Sequence, residues 1–237
     1  MDEILSIKDL NFSFGKNKVL NGVNLNIKIG EIYGIVGNNG VGKTTLLKLI
    51  CGLLKPTGGE INFNNNELFR IGVLIESSGV YGGFNAYENL RAKSILLGLR
   101  KTEGQIKELL SFVGLGNACD KKVRKFSMGM KQRLGIALAL IGDPQLLVLD
   151  EPINGLDPEG ISEINNIIRR IVVERECTVL VSSHILEELL KVATNFAFIK
   201  GGKVIKDIPK KQLLLEKGDL PIEEYYLQVI RNNKARL

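Results

Sequence analysis

The order of apolar and polar residues divides the chain into a strand-rich start, a helical middle and an alternating end. Val23, Leu25, Ile27 and Ile29 alternate with polar residues, the two-residue period of a strand with one buried face. Glu31 to Val36 reads as a further strand that runs into a glycine-rich turn. Thr44 to Leu54 (TTLLKLICGLL) then has the length and composition of a helix, stopped by Lys55-Pro56-Thr57-Gly58-Gly59. From about Ala86 to Leu140 the pattern is mostly helical, with few β-branched residues and glycine breaks near Gly98, Gly104 and Gly114. Strand signals return in Gln145 to Leu149, Thr178 to Val181 and Asn195 to Ile199, separated by helical stretches at Gly160 to Glu176 and Ile185 to Ala193. Strands alternating with helices predict an α/β fold with a mostly parallel sheet and covered faces. Asn62 to Asn66 (NFNNN) reads as a loop, and there is no internal repeat.

Composition narrows the class. The 237 residues suffice for one domain, or one domain with an inserted subdomain, and 44% hydrophobic with 24% charged residues is a folded chain's balance. Cys51, Cys119 and Cys177 are odd in number and widely spaced, which fits a reduced, cytosolic compartment better than a disulfide framework or a metal site. No apolar run reaches the roughly 18 to 20 residues that cross a bilayer, and Met1 to Lys8 is unlike a signal peptide, so a membrane role requires a partner. The net charge of +6 suits nucleic acid, an anionic membrane face, a phosphorylated ligand or simple solubility. It is unevenly spread: residues 120–133 hold six Lys and Arg against one Asp, and residues 200–237 hold nine against five acids.

The chemistry begins at Gly37-Asn38-Asn39-Gly40-Val41-Gly42-Lys43-Thr44, which fits the phosphate-binding pattern G-x-x-x-x-G-K-[ST]. Glycines let consecutive N–H groups turn inward around phosphate oxygens at the positive end of the following helix. These residues and Thr45 are the expected nucleotide contacts, with Lys43 on the terminal phosphates and Thr44 on Mg²⁺. Leu146 to Leu149 is an apolar strand ending in Asp150-Glu151. Ligands of parallel sheets lie beyond the carboxyl ends of the strands, so Asp150 is placed to hold the metal and Glu151 to take a proton from attacking water. His184, the only histidine, stands at another strand end, where it could bond the γ-phosphate and orient that water.

Together with Phe126-Ser127-Met128-Gly129-Met130-Lys131-Gln132-Arg133, similar to the signature usually written LSGGQ, these motifs resemble the ATP-binding subunit of an ATP-binding-cassette transporter over nearly the whole chain. The resemblance implies a P-loop NTPase fold with a mostly parallel core sheet, an N-terminal antiparallel β region and an inserted helical subdomain. It divides the chain into core (1–80 and 136–208), helical subdomain (81–135) and a basic helical tail (209–237). It implies ATP hydrolysis with ATP and Mg²⁺, a separate membrane permease, no direct nucleic-acid contact, and residence on the inner face of the cell membrane. Two copies, expected to be identical, would face head to tail, with Ser127 and Gly129 gripping the γ-phosphate bound by the partner. Asp157, in Asn154-Gly155-Leu156-Asp157, would contact the partner; His184 falls on the switch histidine; and Phe14 matches the aromatic that stacks on adenine, although a Phe there could equally be core.

Two departures from the family pattern carry information. Glu76 stands where a metal-touching glutamine is usual, and Met128 replaces the first signature glycine. The glutamate and the SMGMKQR signature are similar to the bacitracin and lantibiotic immunity branch, which exports or expels peptide antibiotics. Another exporter ATPase, an ATPase acting on nucleic acid or ribosomes, and a non-hydrolysing regulatory cassette are the competing readings. The last is opposed by the presence of Lys43, Asp150, Glu151 and His184. Ser77 to Phe84 (SSGVYGGF) reads either as a groove for a short permease helix or as a loop folding its aromatics onto the core.

Overall fold

Alternation along the first strands closes a small apolar layer. In the computed structural model, which describes residues 3–64, 69–76, 79–118 and 120–234, β1 (Glu3–Phe14) and β2 (Asn17–Lys28) pair antiparallel. Leu5, Ile7, Leu10 and Phe12 on one strand and Leu20, Val23, Leu25 and Ile27 on the other are buried, whereas Ile29 lies past the strand end and is exposed. β4 (Gly58–Phe63) adds to the free side of β1 in the order β2-β1-β4. The expected loop at Asn62 to Asn66 is therefore corrected: Asn62 and Phe63 end β4 opposite Ser6 and Leu5, held by packing of Phe63 on Phe69 (centroids 5.0 Å apart). Asn65 and Asn66 lie outside the described residues.

The second sheet has the order β5-β6-β7-β3-β8-β9, built from β3 (Ile32–Val36), β5 (Ile71–Leu74), β6 (Leu146–Asp150), β7 (Thr178–Ser183), β8 (Asn195–Lys200) and β9 (Lys203–Pro209). Its strands run parallel except β9, which pairs antiparallel with β8 and which the hydrophobic pattern did not reveal. This sheet separates two cores. On β3, Ile32 and Val36 join the core that faces most of the helices, while Tyr33 and Ile35 join the one shared with β1, β2 and α1 (Lys43–Ile50). Helix α1 stops four residues earlier than its composition suggests. Gly52 adopts φ +69°, with Gly52 N–H donating to Leu49 O and Leu53 N–H to Lys48 O, the paired bonds of a left-handed C-terminal cap.

The helical stretch resolves into α2 (Ala86–Leu96), α3 (Glu103–Phe112) and α4 (Met128–Leu140). Reciprocal caps start the first two, Asn85 with Glu88 and Thr102 with Gln105. Helix α4 runs unbroken across position 135, burying Leu134 to Leu140 in the larger core. The end of α3 is fixed by α5 (Pro158–Arg175). Phe112 lies between the guanidinium groups of Arg170 and Arg175, 4.4 and 4.5 Å from its ring centroid, and Arg170 donates to Phe112 O at 3.0 Å. Phe112→Ala is expected to cost about 3 kcal/mol, lowering the midpoint of a thermal melt by about 6–12 °C.

Past α6 (Leu186–Val192) and β9 come α7 (Lys210–Lys217) and α8 (Ile222–Lys234). Helix α8 buries Ile222, Tyr225, Tyr226 and Val229, one helical stripe. The basic end is thus anchored to the core and is not simply a solvated face.

Candidate functional site

The glycine loop leaves β3 between the two sheets and ends in α1. Gly42 takes φ +106°, and a Cβ there would come 2.8 Å from Leu20 Cδ2; a Cβ on Gly37 would come 2.8 Å from Ile199 O. Both positions therefore need glycine. Helix α1 has no side-chain cap and no acid in its first turn, so its leading N–H groups remain available to an anion. They face a cavity of about 320 Å³ lined by Val19, Asn39, Gly42, Lys43, Thr45 and Glu151.

Lys43 is only 6% exposed. Its Nζ donates to Gly37 O (2.6 Å) and Asn38 O (3.3 Å) and pairs with Glu151 Oε1 at 3.1 Å. Thr44 Oγ1 donates to Asp150 Oδ2 at 2.7 Å, and Ser182 Oγ donates to Asp150 Oδ1 at 2.6 Å. The same Ser182 oxygen accepts from Glu151 N–H at 2.9 Å, so one hydroxyl from β7 orients both acids at the end of β6. Glu151 is held at φ +48°, uncommon for a side chain with a Cβ. Its other oxygen lies 2.7 Å from His184 Nδ1.

The expected residues thus separate into groups. Lys43, Thr44, Asp150, Glu151 and His184 converge through direct contacts, with Gly37 to Gly42 and Thr45 around them. Phe14, at the end of β1, is 57% exposed and meets Phe12 edge-on at 4.8 Å, which removes the core alternative for it. Glu76 follows β5 and accepts from Lys48 Nζ at 2.6 Å, tied to α1 one turn beyond Thr44. Ser127 caps α4 by accepting from Met130 N–H (3.2 Å), and Asp157 caps α5 by accepting from Gly160 N–H (2.9 Å). These two helix starts adjoin: Leu156 packs against Gly129, and the Met128 methyl packs over Gly155. They form one surface of their own, with Met128 exposed.

Ser182 was not singled out, although Ser182-Ser183 directly precedes His184 at the end of β7. Within residues 120–133, Lys122 is spent on Glu88 (3.1 Å) and Arg133 on Glu163 (3.3 Å). Burial pushes the Cys51 and Cys177 thiols up to about 12, which leaves them unreactive near neutrality; Cys119 lies outside the described residues. In the Ser77 to Phe84 segment, Ser77 and Ser78 also lie outside them. Tyr81 and Phe84 are exposed with centroids 5.5 Å apart, beside a cleft of about 270 Å³ lined by Val73, Tyr81, Lys93, Leu96 and Leu138. Among the described residues no helix is long and apolar enough to cross a membrane.

Residues 20–154 match the ABC transporter family. The chain is 44% identical over 217 residues to the bacitracin transport ATP-binding protein BcrA of Bacillus licheniformis, covering 88% of this chain and 71% of that protein. It is 45% identical over 207 residues to the lantibiotic transport ATP-binding protein SrtF of Streptococcus pyogenes, covering 85% and 89%. Among solved structures it is similar to cbiO1 of Clostridium perfringens, part of the ABC transporter complex cbiONQ, with 30% identity, a TM-score of 0.81 and 92% of each chain covered. The ATP-binding cassette MJ0796, solved as a dimer in a post-hydrolysis state bound to ADP and Pi, matches with 25% identity and a TM-score of 0.77, covering 87% of this chain and 99% of that one.

Proposed function

The chain belongs to the ABC transporter family as one of its ATP-hydrolysing subunits, and from that premise we propose that it drives a separate permease that exports or expels a peptide antibiotic such as bacitracin or a lantibiotic. The observation that carries the chemistry is the position of Glu151, whose carboxylate bridges Lys43 and His184 at the end of β6. In this reading the loop amides and Lys43 bind the phosphates, and Phe14 offers its exposed ring to adenine. Glu151 takes a proton from water as that water attacks the γ-phosphorus and the bond to the β-phosphate oxygen breaks; His184 holds the water and the γ-phosphate in line.

The hard oxygen set of Thr44 and Asp150 fits Mg²⁺, with Glu76 as an additional carboxylate on the same side of α1. When bound, the ion neutralises charge on the phosphates. Residues 81–135 form the helical subdomain, and its start at Ser127 and Gly129, adjoining Asp157, grips the nucleotide of an identical partner chain. The subunit works at the inner face of the membrane, with the exposed Tyr81 and Phe84 and their cleft receiving the permease. The antibiotic reading is supported by the 44–45% identity to subunits named for bacitracin and lantibiotic transport.

The test is co-expression with candidate multi-span permease proteins in a host sensitive to these peptides. Tolerance is expected to rise severalfold, and peptide is expected to stimulate ATP hydrolysis in membrane vesicles; Glu151→Gln should abolish both. Hydrolysis in vesicles that neither peptide class alters would overturn the substrate reading.

A further inference from the structure

Acids gather where the neighbouring strands β5 and β6 end. Leu74 pairs with Leu149, and Glu76 follows the first at the same two-residue interval as Glu151 follows the second. Asp150 and Glu151 are each held from two sides, the one by Thr44 and Ser182, the other by Lys43 and His184. Glu76 is held from one side. Among the described residues its carboxylate has a single side-chain partner, the Lys48 ammonium, which donates to Oε1 at 2.6 Å.

The backbone does little to aim this carboxylate. Glu76 lies past the last residue of β5 at φ +61°, in the left-handed region, and its side chain is 65% exposed. Lys48 is better anchored, one turn after Thr44 on α1 and between the buried pairs Leu46-Leu47 and Leu49-Ile50, with its side chain 28% exposed. We propose that Lys48 is a positioning residue for the divalent metal: by fixing Oε1 against α1 it keeps the Glu76 carboxylate on the Thr44 side of that helix, with Oε2 left to meet the ion. The ammonium also repels a cation, but water reaches both side chains and screens that repulsion. The inference rests on reading Thr44 and Asp150 as the metal site.

The experiment measures Mn²⁺ binding by the full chain loaded with a non-hydrolysable ATP analogue, from loss of the paramagnetic resonance signal of the free ion. Lys48→Met should weaken Mn²⁺ binding about tenfold, the low end for losing a group that orients a metal ligand, because Glu76 is exposed. Lys48→Arg should stay within about threefold of the wild type, since a guanidinium can also donate to Oε1. Affinity for the analogue in EDTA should change by less than about threefold in both variants, because one charge acting through water is weak. On a Glu76→Gln background Lys48→Met should add less than about twofold, the carboxylate that it aims being gone. Unchanged or tighter Mn²⁺ binding in Lys48→Met, or an undiminished loss on the Glu76→Gln background, would overturn the proposal. A wild-type chain that binds the analogue but no Mn²⁺ would instead refute the metal site, and one that binds no analogue would refute the nucleotide site.

Discussion

Glu151→Gln is expected to lower steady-state ATP hydrolysis about 100- to 10,000-fold while ATP binding persists. The amide keeps the shape of the carboxylate and can still bond His184, but it cannot take a proton from water. Nor does the change strand Lys43. Of its three contacts only the ion pair to Glu151 is lost, and the Gly37 and Asn38 carbonyls remain. Freed from a negative partner, the ammonium turns more readily to phosphate, so ATP affinity should hold or increase. With hydrolysis blocked, the ATP-bound pair of chains should persist as a dimer on size-exclusion chromatography. Near wild-type turnover in this variant would show that Glu151 is not the base.

Lys43→Ala is expected to reduce ATP affinity about 100-fold or more, read by titration of a fluorescent nucleotide, and also to destabilise the empty protein. The second effect follows from burial. Lys43 is 6% exposed, and removing it leaves Glu151 Oε1 facing the Gly37 carbonyl region without a compensating charge. A half-buried carboxylate left in this way costs about 2 kcal/mol, less than the figure for a fully buried pair because Glu151 keeps some exposure. The Lys43→Ala/Glu151→Gln double variant should regain most of that stability and none of the affinity. A double variant as unstable as Lys43→Ala would place the cost elsewhere, in the lost carbonyl contacts.

Much of this site is legible in the chain because its requirements are local. Gly37 and Gly42 stand where the backbone passes too close to Ile199 and Leu20 for a side chain, and that need shows directly as a spacing of glycines. Asp150 and Glu151 are legible because an apolar run ends at them. The role of Ser182 is not, since serine is an ordinary residue at a strand end and its bonds to Asp150 and Glu151 cross about thirty positions. Charge misdirects the reading of residues 200–237. Nine basic side chains obscure the stripe Ile222, Tyr225, Tyr226 and Val229, which decides where α8 goes. Strand β9 is hidden because it lies at a sheet edge, with most of its side chains only partly buried and charges interleaved. The antiparallel layer follows from the family resemblance, while register shifts along β1 interrupt the alternation by which a single 12-residue strand would be read.

Strand β3 alternates its side chains between two separate cores, with Ile32 and Val36 in one and Tyr33 and Ile35 in the other. Local opening of a segment needs only the contacts of that segment to be lost, and for most loops those are few. Here the phosphate loop is the direct continuation of a strand that neither core can release alone. Freeing that strand by fluctuation would require both apolar layers to part together, which approaches unfolding of the whole domain. The amides of β3 are therefore expected among the slowest-exchanging of the molecule, while the exposed residues Asn38 to Gly40 just beyond them open on their own.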